Sequence, residues 1–66
     1  MRRAILNALR AKYEAEIAEA DATANIYLDN SVGIGEHPEI VQAIETEVEK
    51  IAHAEDKLEA IRKHFS

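Results

Sequence analysis

The chain has 66 residues, with thirteen acidic residues against eight lysines and arginines, no cysteine, two glycines and one proline. A chain of this length makes one domain at most. The lack of cysteine excludes disulfides, thiolate metal sites and a thiol nucleophile. The apolar fraction of 47% and the net charge of −5 do not fit intrinsic disorder. Charged residues interrupt every apolar run, so we expect neither a signal peptide nor a membrane span, and we predict a cytoplasmic helical protein.

Residues 2–29 form the first predicted helix, because this stretch is rich in Ala, Glu and Leu and contains no Gly or Pro. Its apolar residues recur at the three- and four-residue steps of one helix face. These residues are Leu6, Leu9, Tyr13, Ile17, Ala20, Ala24 and Tyr27. The many alanines in the middle of this helix would let a neighbouring helix approach closely.

Residues 30–37 form the predicted turn, since both glycines fall here and the proline follows at once. Gly33 and Gly35 can take the positive φ that a sharp reversal requires. Pro38 suits the first turn of a helix, where its missing N–H costs nothing. Because proline disfavours helical conformation at the residue before it, we predict His37 as the N-cap.

Residues 38–64 form the second predicted helix, with apolar residues again at helical spacing. Two helices of similar length joined by a short turn predict an all-α antiparallel two-helix hairpin. Neither set of apolar residues keeps a strict seven-residue repeat, which favours a short bundle over a long coiled coil. Eight residues are predicted to form the core and interface: Leu6, Leu9, Tyr13, Ile17, Ile44, Val48, Ile51 and Leu58.

Both predicted helices carry apolar residues beyond one stripe, among them Ile5, Ile26, Ile40 and Ala52. A single hairpin would leave these residues as an exposed patch, which soluble monomers avoid. The sequence therefore predicts a homodimer of hairpins that forms a four-helix bundle.

Charge is arranged in three blocks along the chain. Residues 1–12 hold four basic residues and no acid, residues 13–49 hold ten acids and no Lys or Arg, and residues 50–66 hold four basic residues against three acids. In a hairpin the open end is therefore basic, whereas the middle and the turn end are acidic. Antiparallel packing of two hairpins places opposite charges together, so we predict an antiparallel dimer that added salt weakens.

A candidate metal cluster comprises Glu49, His53 and Asp56, which project to one side of the second predicted helix. A di-iron bundle requires paired Glu-x-x-His motifs, and a single loose cluster falls short of that. A surface histidine in salt bridges is therefore the favoured interpretation, and no cofactor is expected. A two-helix scaffold also offers no enclosed pocket that would shift carboxylate pKa values, so we expect no catalysis.

Nucleic-acid binding is the alternative function. A local basic face at the open end would comprise Arg2, Arg3, Arg10, Arg62 and Lys63, in the manner of dimeric bundles that bind RNA through phosphate contacts. The acidic total argues against broad phosphate binding, and the first helix brings no exposed aromatic residue to that end. The favoured function is a small non-enzymatic scaffold or adaptor with an unidentified protein partner.

Three segments also resemble a family. Residues 32–41 (VGIGEHPEIV), residues 51–58 (IAHAEDKL) and residues 63–65 (KHF) are similar to short helical-hairpin proteins of marine tailed phages, a family with no known activity. The resemblance implies an accessory or structural role in the host cytoplasm or in the virion. It implies no active-site residue.

Overall fold

The computed structural model describes residues 1–30 and 37–66, except for the side chains at positions 37 and 38. These residues form two helices, α1 (Arg2–Asp29) and α2 (His37–Phe65), which pack side by side in a rod 51 Å long. Arg2 Nη2 donates a hydrogen bond to the Phe65 carbonyl oxygen at 2.9 Å, so the two ends of the chain meet. The prediction of an antiparallel helical hairpin is confirmed.

The end of α1 is closed by Asn30. Its backbone N–H and its side-chain amide both donate to the Ile26 carbonyl oxygen, at 3.1 and 2.8 Å, and so satisfy a carbonyl that has no partner further along the helix. Asn30 is thus the residue that stops α1 at the predicted boundary.

The start of α2 differs from the prediction by one residue. His37 lies within the helix, whereas the sequence analysis placed it in the turn as the cap. The restriction that Pro38 imposes on its neighbour is a preference that a helix can override. Pro38 itself lies in the first turn of α2, as expected. Gly33 and Gly35 are outside the described residues.

The burial of side chains follows a seven-residue repeat on both helices, contrary to the sequence-based expectation. We call the contact between the inward-facing rows of α1 and α2 the seam. The inward positions step by three and four residues: Leu6, Leu9, Tyr13, Glu16, Ala20 and Thr23 on α1, and Ile40, Ile44, Glu47, Ile51, Ala54, Leu58 and Ile61 on α2. The adjacent α1 row of Arg10, Ile17 and Ala24 is also partly or fully covered and belongs to the seam. Such a repeat keeps one stripe of each helix facing the other, as in a coiled coil.

Three of the four buried apolar residues that the structure describes are alanines. The buried apolar residues are Ala20, Ala24, Ala54 and Ile61. The other apolar seam residues are half-buried, among them seven of the eight predicted core residues: Leu6, Leu9, Tyr13, Ile17, Ile44, Ile51 and Leu58. Two helices enclose only the centre of their contact, so a long side chain protrudes at the edge whereas an alanine is covered completely.

Val48 was wrongly predicted as a core residue of the hairpin, because its side chain is 54% exposed. Glu47 takes the inward position instead and is only 7% exposed. The Glu47 carboxylate accepts hydrogen bonds from Lys50 Nζ at 3.1 and 3.4 Å. Because a buried carboxylate is tolerated when it is paired, this contact allows an acid to occupy a seam position.

The seam assignment predicts unequal costs for two truncations on α2. Ile61→Ala should lower the free energy of unfolding by about 2–5 kcal/mol, since it removes a buried aliphatic side chain. Val48→Ala, a truncation at an exposed position, should change it by about 0.5 kcal/mol or less. Urea unfolding followed by circular dichroism measures both. Equal losses would contradict the assignment.

Candidate interaction surfaces

Two grooves run along opposite edges of the seam. The lysine groove, of about 330 Å³, is lined by Glu16, Glu19, Ala20, Lys50, His53 and Lys57. The acidic groove, of about 460 Å³, is lined by Glu14, Ile17, Ala18, Asp21, Ile51 and Glu55. The seam thus has edges of different charge.

In the lysine groove, cations of α2 lie near acids of α1. Lys57 Nζ lies 5.2 Å from the centroid of the Tyr13 ring, an arrangement in which the ring face attracts the ammonium group. Tyr13 is a half-buried residue of the seam, so this contact joins an exposed cation of α2 to an aromatic ring of α1.

Beside the acidic groove, α2 exposes large aliphatic side chains. Val48 lies seven residues before Glu55 and Val41 seven before Val48, so the three share one row of the helix. Val41 is 64% exposed. This row changes from apolar near the turn end to acidic at mid-helix.

The opposite edge of α1 exposes two isoleucines. Ile5 is 53% and Ile26 is 61% exposed. They lie on the row of α1 that includes Glu19, a residue of the lysine groove. Large aliphatic side chains are therefore exposed on both edges of the hairpin.

The open end of the hairpin gathers basic residues around an aromatic ring. A groove of about 350 Å³ there is lined by Arg2, Arg3, Leu6, Asn7, Arg10, Phe65 and Ser66. Arg10 Nη1 donates to Asn7 Oδ1 at 2.9 Å. Phe65 is 50% exposed and packs edge-on against His64, with the ring centroids 6.2 Å apart. Sequence reasoning missed Phe65 as a member of this site because it considered aromatic residues of the first helix alone.

Arg62, another predicted member of the basic face, is already paired. Its guanidinium donates to both Glu59 carboxylate oxygens, through Nε at 2.9 Å and through Nη2. These hydrogen bonds, together with the charge of Arg62, lower the pKa of the Glu59 carboxyl, whereas partial desolvation opposes them. Arg62 is therefore less available to a ligand than Lys63, which is exposed on the same turn.

The three candidate metal ligands on α2 are Glu49, His53 and Asp56, and all three are exposed. Among residues 1–30 and 37–66, no group of three or more His, Asp or Glu side chains is placed to hold a metal ion. His53 instead lines the lysine groove.

No protein-family model, curated protein or solved structure matches this chain. In the part of the chain that the structure describes, neither helix has a segment both long enough and apolar enough to cross a lipid bilayer.

The Glu59–Arg62 pair predicts a measurable change in titration. Arg62→Gln should return the pKa of Glu59 to its ordinary range, because it removes the charged donor. Carbon-detected NMR of the carboxyl group measures the titration midpoint in both proteins.

The lowered pKa of Glu59 also determines the direction in which stability changes with pH. The pair stabilises the folded chain above the ordinary pKa of glutamate, and the contribution disappears as the pH falls through the lowered pKa. An Arg62→Gln variant with an unchanged Glu59 midpoint would contradict this assignment. Lys63→Gln, which removes a neighbouring charge without this hydrogen bond, is the matched control.

Proposed function

We propose that this chain is a small non-enzymatic interaction protein that acts as a homodimer of hairpins, a four-helix assembly, and presents charged surfaces to a protein partner. The resemblance to phage proteins supports an accessory or structural role, in the host cytoplasm or in the virion. No step of the proposed function involves a cofactor or a chemical reaction.

The exposure of large aliphatic side chains on both edges of the seam carries the proposal. Ile5, Ile26, Val41 and Val48 are all more than half exposed, although none belongs to the seam. Ile5 and Ile26 share one row of α1, and Val41 and Val48 share one row of α2. Large aliphatic side chains that recur on an exposed helix row in this way favour association with another molecule. A second hairpin would cover one edge and leave the other for a different partner.

The charges of the hairpin support antiparallel association. The open end carries Arg2, Arg3 and Arg10 of α1 and Arg62 and Lys63 of α2, whereas residues 13–49 hold ten acids and no Lys or Arg. With the two turns at opposite ends, the basic end of one copy lies beside acidic residues of the other. With both turns at one end, like charges would lie together.

Sedimentation equilibrium tests the association. We expect a particle of twice the 7.4 kDa chain mass at micromolar concentration, and we expect its dissociation constant to rise between low ionic strength and about 0.5 M salt as the charges are screened. A folded monomer throughout this range would refute the proposed self-association. A salt-independent dimer would refute the role of charge in its orientation.

Nucleic-acid binding is the second candidate function, and Phe65 is the observation that favours it. An exposed aromatic ring among Arg2, Arg3 and Arg10 combines a surface for base stacking with phosphate-binding groups. The acidic residues elsewhere on the hairpin would confine such binding to the open end.

A gel shift with structured RNA, with duplex DNA as the second probe, tests this candidate. If the open end binds, Arg3→Gln and Phe65→Ala should each weaken the complex by about tenfold, since a phosphate contact or a stacking surface is lost. Glu49→Gln, a change on the exposed side of α2, is the control. The absence of a shift at about 50 mM salt would eliminate nucleic-acid binding.

A further inference from the structure

One exposed row of α1 has the pattern of a second helix-packing seam. The row steps by three and four residues through Ile5, Ala8, Lys12, Ala15, Glu19, Ala22 and Ile26. All seven residues are exposed, and five of them are apolar. The row lies beside the inward positions that pack against α2, and Glu19 on this row also lines the lysine groove.

The row shows the same order of large and small side chains from either end, but the positive and the negative residue exchange places when it is reversed. Ile5 and Ile26 lie at equal distances from the midpoint between Ala15 and Glu16, and so do Lys12 and Glu19. A row of this kind is complementary to itself when it is reversed. Within residues 1–30 and 37–66, neither Lys12 nor Glu19 takes part in a salt bridge of 4.0 Å or less.

We propose that this row binds the same row of a second copy, with the two α1 helices antiparallel and a twofold axis near Ala15. The inference rests on the proposed self-association and specifies its interface. Ile5 then lies beside Ile26 of the partner subunit, and Lys12 beside Glu19 of the partner subunit. The twofold axis makes each of these contacts twice.

Charge selects the antiparallel direction. A parallel pair in register would place Lys12 beside Lys12 of the partner subunit, and Glu19 beside Glu19 of the partner subunit. Like charges placed opposite each other disfavour association, and opposite charges favour it. The alanines between the charged residues leave room for the two helix backbones to approach.

The corresponding row of α2 does not have these properties. Lys50 and Lys57 both lie on it, with His53 between them, so two α2 helices packed through this row would bring cations together. The two α1 helices therefore form the centre of the dimer, and the α2 helices lie outside. The row of Val41 and Val48 borders the other edge of the seam and remains exposed in this arrangement.

Charge reversal on α1 tests the interface. Lys12→Glu and Glu19→Lys should each raise the dimer dissociation constant by about tenfold or more, because each change turns two attractive contacts into repulsive ones. A mixture of the two variants should form a heterodimer, since their rows are again complementary. The double variant K12E/E19K should restore the homodimer. Sedimentation equilibrium measures all four samples at low ionic strength.

The controls carry the same charge changes on the exposed side of α2. Lys63→Glu and Glu49→Lys alter the net charge equally but lie off the proposed face, so they should change the dissociation constant by less than about threefold. Circular dichroism verifies that each variant stays helical. This check matters most for Glu19→Lys, because the new lysine would lie in the same groove as Lys50 and Lys57.

Cross-linking tests the position of the axis without altering charge. The Ala15→Cys variant should form a disulfide between its two subunits under mild oxidation. The Ala8→Cys and Ala22→Cys variants should cross-link efficiently only when the two variants are mixed with each other. Ala60→Cys, at an exposed position on α2, should cross-link at least about tenfold more slowly than Ala15→Cys, because the dimer does not hold it near its copy.

The outcomes separate the two proposals. A wild-type dimer that the α1 reversals affect no more than the controls would refute this interface while self-association stands. Equal cross-linking at positions 15 and 60 would refute it as well. A wild-type chain that stays monomeric would refute self-association and this interface with it. Weakening by both reversals, with recovery in the mixture, supports both.

Discussion

Two helices can bury side chains only along the line where they touch, which in this chain is the seam between α1 and α2. The exposure of the remaining apolar side chains depends on this limit. Alanines occupy the centre of the contact, where Ala20 and Ala54 are covered completely. Longer side chains such as Leu6 and Ile51 reach the edge and stay half exposed. Within residues 1–30 and 37–66, no third layer covers those edges. The apolar surface beyond the seam must therefore contact another molecule or remain in water, which is unfavourable in proportion to its area.

Glu47 shows how such a seam can include charge. A carboxylate at an inward position would be costly if it were isolated, but the side chain is long enough to reach Lys50 at the edge. Replacing a paired buried acid with an apolar residue is often neutral or stabilising, so the stability that this pair contributes is small. A polar residue at one inward position does restrict the register in which two helices can pack.

The two edges of the seam differ in charge, and this difference connects the fold with the proposed assembly. Lys50, His53 and Lys57 make one edge of α2 basic, so this edge is a poor surface for packing against its own copy. The neighbouring row of α1 alternates alanines with Lys12 and Glu19 and is complementary to itself when reversed. The open end adds arginines around Phe65, so it carries a separate, positively charged surface. The faces of one small hairpin thus differ both in packing and in charge.

The sequence by itself determined the elements of secondary structure, because helix propensity, Gly and Pro act locally. The first helix was predicted at residues 2–29 and is found at Arg2–Asp29, and the second, predicted at residues 38–64, is one residue longer at each end. Which stripe faces inward was decided only by the tertiary structure. Apolar spacing alone favoured Val48, whereas in the structure α2 buries the row of Glu47, Ala54 and Ile61 against α1 and leaves Val48 exposed. The hydrogen bond from Arg2 to the Phe65 carbonyl oxygen is likewise a tertiary contact, because it joins residues at the two ends of the chain. Contacts between residues so distant in sequence depend on how the two helices pack, which local spacing does not specify.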